Sequence, residues 1–418
     1  MNAKQLPLPL AKTGLFRPLD ARSVPEGQGL KPMDSVLFAV ITALLGLGLV
    51  MVYSASAVEG SLRHHDPQFF LVRQAIYVLV GLGVVGAASA VDYHRLNRLT
   101  YPFLGVSVLM LVVVLTRMGH AAGGAARWIS VGPIHIQPAE VTKLALVLWL
   151  AYSLAKKGEQ VRGFSVGFVP HLIVAAVLVA LCMKQPDFGS AIVVGFLTFA
   201  LLFVAGARLG YIIAAVVVGV GLGVAAIAMK AYRWNRFMAW WDLEHHRSDT
   251  GYQAYQSLIA IGSGEKTGLG LGHGYQTLYL PEAHTDFIGA VIGEELGFAG
   301  LLLLVSLYVT LFVRGVRAAY RAPDDYGTFV AYGISALFAF QAIFNLSVIL
   351  AIAPTKGLTL PFISFGGSSL LICCAAAGIL LNISRQGSDV VTEPTGVERR
   401  AAVKGSGTTK GARHGVRP

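Results

Sequence analysis

The chain has 418 residues, of which 55% are hydrophobic and only 13% charged, with a mean hydropathy of +0.64. Several windows hold about 18 or more mostly apolar residues, the length a helix needs to cross a bilayer, which excludes a soluble globular protein. They lack the period-two alternation of membrane strands, so a β-barrel is excluded too. The formal net charge of +11 reads as basic residues held in cytoplasmic loops and tails, not as a nucleic-acid surface.

Residues 1–33 carry Lys and Arg with five prolines and no apolar core, which reads as a cytoplasmic tail and not a signal peptide. Hydropathy then predicts about ten spans, at 34–57, 69–91, 99–118, 138–156, 166–183, 187–206, 209–230, 287–313, 327–352 and 360–384. The short loops 156–165 and 314–326 are basic, which places them and both termini in the cytoplasm. The fold class is all-α: a polytopic membrane protein with a large extracytoplasmic loop, 231–286, between spans 7 and 8. The membrane domain runs over 34–385, and 386–418, rich in Gly, Thr, Lys and Arg, reads as a disordered cytoplasmic tail. Cys182, Cys373 and Cys374 lie in apolar runs as small core residues.

Polar residues then concentrate on one expected membrane face. Arg127 sits in a Gly-rich loop, and Glu140 and Lys143 open the fourth span, spaced i, i+3 so that they share a helix face and pair. Lys184 and Asp187 flank the hairpin between spans five and six. The long loop contains Arg233, Arg236, Trp240 and Trp241, a mixture that reads first as an interfacial belt. Its stretch Gly264 to Gly274 ends one turn in Lys266-Thr267 like a P-loop, but Glu265 stands where that motif needs Gly and no strand precedes it, so nucleotide binding is rejected. A flexible, Gly-rich cover is the expectation. The loop ends in Leu280-Pro281-Glu282-Ala283-His284-Thr285-Asp286-Phe287, where polar chain becomes apolar helix. Lys356, in Pro354-Thr355-Lys356-Gly357, and Ser368 precede or open the last span.

An acid at a membrane entrance is costly to desolvate and is a functional candidate by default. Several cations with one or two carboxylates suit a substrate with an anionic head and a polar acceptor, such as a lipid-linked pyrophosphate: cations neutralise the leaving phosphate and a carboxylate takes the acceptor's proton. Glu294 follows Asp286 by two helical turns, roughly 80° round the helix, a poor partner for a two-carboxylate site, so Glu294 and Glu295 are expected to pair or bind backbone inside the bundle. Asp286, at the water boundary, is the single carboxylate chosen for chemistry.

Six separated segments, namely Ala126 to Ile129, Pro138 to Lys143, Gln185 to Gly189, Gly264 to Gly274, Leu280 to Gly297 and Pro354 to Ser369, resemble the SEDS family (shape, elongation, division and sporulation), most closely its cell-division branch. The resemblance implies a ten-helix peptidoglycan glycosyltransferase that polymerises lipid II at the division septum of the bacterial cytoplasmic membrane. The family's essential aspartate falls on Asp286, its Glu–Lys pair on Glu140 and Lys143 with Lys143 reaching Asp286, its loop arginine on Arg127 and its late lysine on Lys356. Substrate contacts are expected from Arg127, Glu140, Lys143, Lys184, Asp187, His284, Lys356 and Ser368. The α-linked donor and β-linked product require inversion, for which one base suffices. A divalent cation (Mg2+ or Mn2+) would assist, although no ligand cluster demands one. A class B penicillin-binding protein transpeptidase, division-site regulatory membrane proteins and membrane lipids are the implied partners, with no nucleic acid. Gly289 and Gly293 depart from the family's larger residues, which bears on helix packing behind Asp286. The rivals are a lipid II flippase, which would need polar residues traversing the membrane and repeat symmetry, and a non-catalytic scaffold for the transpeptidase.

Overall fold

The computed structural model describes residues 32–116, 119–122, 125–132 and 134–386; apart from their innermost residues, the two expected tails lie outside these. Twelve α-helices are described: α1 (Ser35–His64), α2 (Phe69–Ala90), α3 (Leu96–Val113), α4 (Pro138–Lys157), α5 (Val169–Lys184), α6 (Phe188–Val204), α7 (Leu209–Ala228), α8 (Ala231–Trp241), α9 (Tyr252–Ser263), α10 (Ile288–Arg321), α11 (Asp325–Ile349) and α12 (Gly367–Gln386). Among the described residues nine helices are long and apolar enough to cross a membrane, and α6, at 17 residues, is a shorter apolar helix. The ten expected spans are all present as helices.

Acids start the helices where the sequence turns apolar. Asp34 caps α1 through Leu37 N (3.0 Å), Asp187 caps α6 through Ser190 N (3.1 Å) and Asp324 caps α11 through Gly327 N (2.8 Å). Pro138 occupies the first turn of α4, where a missing N–H costs nothing. Burial then ranks the helices. In α4, 94% of the apolar window is buried, against 6% in α7. α4 is therefore the central helix, packed on α3, α6, α11 and α12, and any charge on its inner turns is enclosed by protein.

Connections far apart in sequence meet at two ends. At one, Tyr93 Oη donates to Asp324 Oδ1 (2.8 Å), His94 Nε2 lies 3.1 Å from Asp324 Oδ2, and Tyr93 N donates to Asn382 Oδ1 (3.1 Å). This ties the α2–α3 and α10–α11 connections to the end of α12. The other end carries the starts of α4, α6, α10 and α12 and the loop segments between α7 and α10.

The helical membrane fold is as expected, with one addition, a small three-stranded antiparallel sheet of β1 (Gly119–Ala122), β2 (Ala125–Val131) and β3 (Ile134–Ile136), with Ile129 opposite Ile136. Three expected details are corrected. The third span, expected to run to 118, stops at Val113, where the chain enters a turn. The last span begins at Gly367, because 354–366 carry Pro354, Pro361 and a turn and cannot continue a helix. The large loop contains α8 and α9. Its Gly-rich stretch is pinned, not loose: α10 breaks at Gly297 (φ 65°), and the freed groups pair with the loop, Phe298 N donating to Glu265 O (2.9 Å) and Leu269 N to Glu294 O (3.0 Å). Gly268 (φ 81°) supplies the left-handed turn, and a Cβ on it would overlap the Glu295 carbonyl.

Candidate active site

Asp286 sits in the turn just before α10. Glu282 at φ 58° starts that turn, and Thr285 Oγ1 donates to Glu282 Oε2 (2.8 Å). The turn is tied to its neighbours through main-chain oxygens. Asn345 Nδ2 on α11 donates to Asp286 O (2.8 Å), Ser364 Oγ to Thr285 O (2.6 Å) and Phe365 N to His284 O (2.9 Å). The carboxylate itself accepts no hydrogen bond from the described residues, and its Oδ2 lies 2.9 Å from where a Cβ on Gly357 would stand. The chain at Lys356-Gly357 therefore runs directly past it, and only a glycine leaves room.

Burial, then the Glu282 charge, push Asp286 up to about 7, while Arg127 and Arg236 pull it down. Donors to a carboxylate would stabilise its charged form; their absence here leaves it basic. Lys356 is driven the other way, to about 8, first by burial and then by Arg236, Arg233 and Arg127, with Asp187 opposing. Its Nζ stands 4.8 Å from the centre of the Phe188 ring. Arg127 on β2 donates to Pro186 O (2.6 Å) and Gln185 O (3.3 Å), the hairpin that carries Asp187. Asp187 is buried, and its Oδ2 has no partner. Asp286, Asp187, Arg127 and Lys356 thus share one electrostatic neighbourhood.

Other candidates sit elsewhere. Lys143 Nζ pairs with Glu140 Oε1 at 2.7 Å, with side chains 1% and 6% exposed, so the i, i+3 pair forms inside the bundle. The implied reach of Lys143 to Asp286 is not made in this structure; the buried Glu140 takes the ammonium first, since either charge alone there would be costly. Ser368 Oγ accepts from Gln137 N (3.2 Å), joining the starts of α12 and α4. Lys184 is exposed. His284 points away from the carboxylate, with Nδ1 3.3 Å from Glu59 Oε2 and its ring against Phe70 and Phe365; burial holds its pKa below the ordinary histidine range. It anchors the turn to α1 and α2 and does not face the Asp286 cluster. Glu294 accepts from the loop amides Tyr275 N (2.8 Å) and Gln276 N (3.0 Å), binding backbone as expected, and Glu295 accepts from Ser54 Oγ on α1 (2.6 Å). Gly289 and Gly293 are buried, against Ile349 and Ile261, and α10 is regular around them.

Arg233 and Arg236 were missed. They lie on α8 with Trp240, whose Nε1 donates to Ala351 O (2.9 Å), just ahead of Lys356. The signal was present: 233, 236 and 240 share one helical face, a period that a belt of interfacial residues does not need. Among the described residues no three His, Cys, Asp or Glu side chains gather to hold a metal.

Residues 34–389 match the FtsW/RodA/SpoVE family of cell cycle proteins. The "Probable peptidoglycan glycosyltransferase FtsW" of Trichlorobacter lovleyi is 44% identical over 85% of this chain and 94% of its own length. That of Geobacter sulfurreducens is 42% identical over 84% and 95%. Among solved structures, a chain of a peptidoglycan synthase complex that coordinates polymerization and crosslinking superposes with a TM-score of 0.71, at 29% identity over 84% of this chain and 98% of that one. The rod shape determining protein RodA of Thermus thermophilus does so at 0.64, also at 29% identity, over 85% and 98%. The chain is a multi-pass membrane protein and belongs to the FtsW/RodA/SpoVE family, the SEDS family whose motifs it carries.

Proposed function

We propose that this protein is an inverting peptidoglycan glycosyltransferase that polymerises lipid II into glycan strands for the division septum, releasing polyprenyl pyrophosphate. One observation carries the reading: Asp286 offers a carboxylate without donors, raised to about 7, with Arg127 and Arg236 among its charged neighbours. A base for a sugar hydroxyl needs a pKa near the working pH, and this one has it. Asp286 accepts the proton of the acceptor hydroxyl as that oxygen attacks the donor's anomeric carbon. The bond from that carbon to the pyrophosphate oxygen breaks, and the electron pair leaves with the pyrophosphate. Arg127, Lys356, Arg233 and Arg236 neutralise the departing charge. No covalent intermediate is required, which suits a site with one free carboxylate.

One carboxylate oxygen here, the orphaned Asp187 Oδ2, would be free to hold an Mg2+ or Mn2+ ion whose shell substrate phosphates and water complete. A divalent cation held there would add positive charge at the leaving group. The Glu140–Lys143 pair is assigned a supporting place beneath the site. The end bearing Asp286 is assigned to the outer side of the bacterial cytoplasmic membrane, with the tails at 1–33 and 386–418 inside. A class B penicillin-binding protein is the proposed partner, in line with the synthase complex that the fold matches. The exposed Leu269, Leu271, Tyr275, Leu278 and Tyr279 give such a partner an apolar surface on a pinned loop. Regulatory membrane proteins of the septum are placed in the same assembly.

The test is polymerisation of lipid II by purified wild type and Asp286→Asn, with and without the transpeptidase. Asp286→Asn is expected to fold and bind lipid II but form no glycan. Wild-type glycan from the variant would overturn the assignment. Lipid II crossing vesicle membranes without polymer would instead restore the flippase reading, to which no relative's name lends support.

A further inference from the structure

The amide of Asn345 is buried, 1% exposed, at the end of α11. Its Nδ2 donates to two carbonyls, Asp286 O at 2.8 Å and Leu358 O at 2.8 Å. Two carbonyl oxygens at that distance require the NH2 group, so its orientation is determined by the contacts. Both protons are thereby used on main-chain oxygens of two different segments, one carrying Asp286 and the other following Lys356 by two residues. Its Oδ1 has no partner, and a Cβ on Gly289 would stand 3.6 Å from it and 2.9 Å from Ile349 Cδ1. Nothing on the Oδ1 side holds the amide; it is held by the two carbonyls and by packing. Ser364 makes a second link farther along, its Oγ donating to Thr285 O (2.6 Å) and accepting from Leu360 N (2.8 Å), whereas Asn345 ties Asp286 itself, from α11.

We propose that Asn345 is a positioning residue that fixes the Asp286 turn against the Lys356-Gly357 segment, and so sets the spacing between the base and the leaving-group cations. A mere packing residue would need its volume, whereas this role needs two donors at one point. The proposal rests on the reading of Asp286 as the base. A strand-to-strand link of this sort acts on the transition state more than on binding, because small displacements of a base cost rate steeply.

The experiment uses full-length protein in detergent with lipid II as the probe, and compares Asn345→Leu, Asn345→Asp and Asn345→Gln with wild type and Asp286→Asn. Asn345→Leu keeps the volume and loses both donors; Asn345→Asp places an acceptor against two acceptors. For both, kcat is expected to fall by roughly 10- to 100-fold with KM within about twofold. The acid limb of the kcat profile should also move toward the ordinary carboxylate range, as the turn opens to water. Asn345→Gln, with its two donors restored, is expected to recover part of the rate. If Asn345→Leu fails to fold, Asn345→Ser, which relieves packing and cannot serve both carbonyls, is expected to show the same split. A kcat within about twofold of wild type overturns the proposal, as does a loss of rate that tracks thermal stability with an unmoved pH profile. If Asp286→Asn itself polymerises, the underlying reading has failed. If it is dead while Asn345→Leu is active, only the positioning role has.

Discussion

The pH dependence of the free enzyme follows from two groups on neighbouring segments that share Arg127, Arg236 and Asp187 as charged neighbours. Asp286, raised to about 7, must be ionised to accept a proton; Lys356, lowered to about 8, must be protonated to steady the leaving group. Since kcat/KM reports groups of the free enzyme, its profile should be a narrow bell, with an acid limb near 7 and a basic limb near 8. Two substitutions, one at the exposed Glu282 and one at the leaving-group cation Arg236, should deform it differently. Glu282 raises Asp286, and Glu282→Gln removes that push, so the acid limb moves to lower pH and the basic limb stays. Arg236 lowers both Asp286 and Lys356, so Arg236→Gln should carry both limbs upward together.

The size comes from Coulomb's law. A unit charge about 8 Å away contributes about 0.5 kcal/mol in water and about 2 kcal/mol at an effective dielectric of 20. The limbs should therefore move by between a few tenths and about one and a half pH units. The exposed Glu282 belongs at the lower end and should lose its effect as salt is raised. Initial rates of lipid II polymerisation at low substrate, read from about pH 5 to about pH 9, give the profiles. An acid limb near the ordinary aspartate value, or the same deformation from both variants, would refute the electrostatic reasoning.

Three further outcomes are expected. Asp286→Asn should be more thermally stable than wild type at neutral pH. A carboxyl whose pKa rises from 3.8 to about 7 on folding favours the folded state below its unfolded value and loses that advantage as pH rises through the folded one, so the benefit of the amide should grow from about pH 4 and level off above about pH 7, read by melting temperature in detergent. Gly268→Ala should destabilise by at least about 2 kcal/mol, since the residue sits at φ 81° with its Cβ position against the Glu295 carbonyl, and denaturation of the purified protein measures it. Lys143→Met should cost about 3–5 kcal/mol by stranding Glu140, and adding Glu140→Leu should restore most of that stability, so a double-mutant cycle on melting separates the pair's structural share from any loss of activity.

The ten spans were legible because each is a long apolar run, and bilayer thickness turns such a run into a helix whatever surrounds it. Asp286, Arg127, Asp187 and Lys356 were legible as a group because charges at membrane depth are rare and helix alternation sends their ends to one side. What failed depended on contacts between distant segments. The break at Gly297 is invisible locally, since its hydrogen bonds go to Glu265, Lys266 and their neighbours about 30 residues earlier. Spacing put Glu140 beside Lys143 and the resemblance implied a reach to Asp286; the structure makes the first contact alone, because a buried Glu140 without its ammonium would be costly. His284 lies two residues from Asp286, yet the turn sends it to Glu59, Phe70 and Phe365. Asn345 gave no signal at all: a lone amide in an apolar helix shows its use only when the two carbonyls are in view.

The acids at this end of the protein divide according to what satisfies them. Glu140 has an ammonium, Glu294 two backbone amides, Glu295 a serine hydroxyl, and Asp187 a helix N-terminus on one oxygen. Each of those arrangements gives the acid a structural task. Asp286 is held only through its main chain, by Asn345, while its neighbours Thr285 and His284 are held through theirs by Ser364 and Phe365. The turn is rigid and the carboxylate is left without donors. Rigidity and basicity therefore come from different atoms of one short segment. A side-chain tether would have supplied the first at the expense of the second, which is a physical reason for an active carboxylate to be positioned through its backbone.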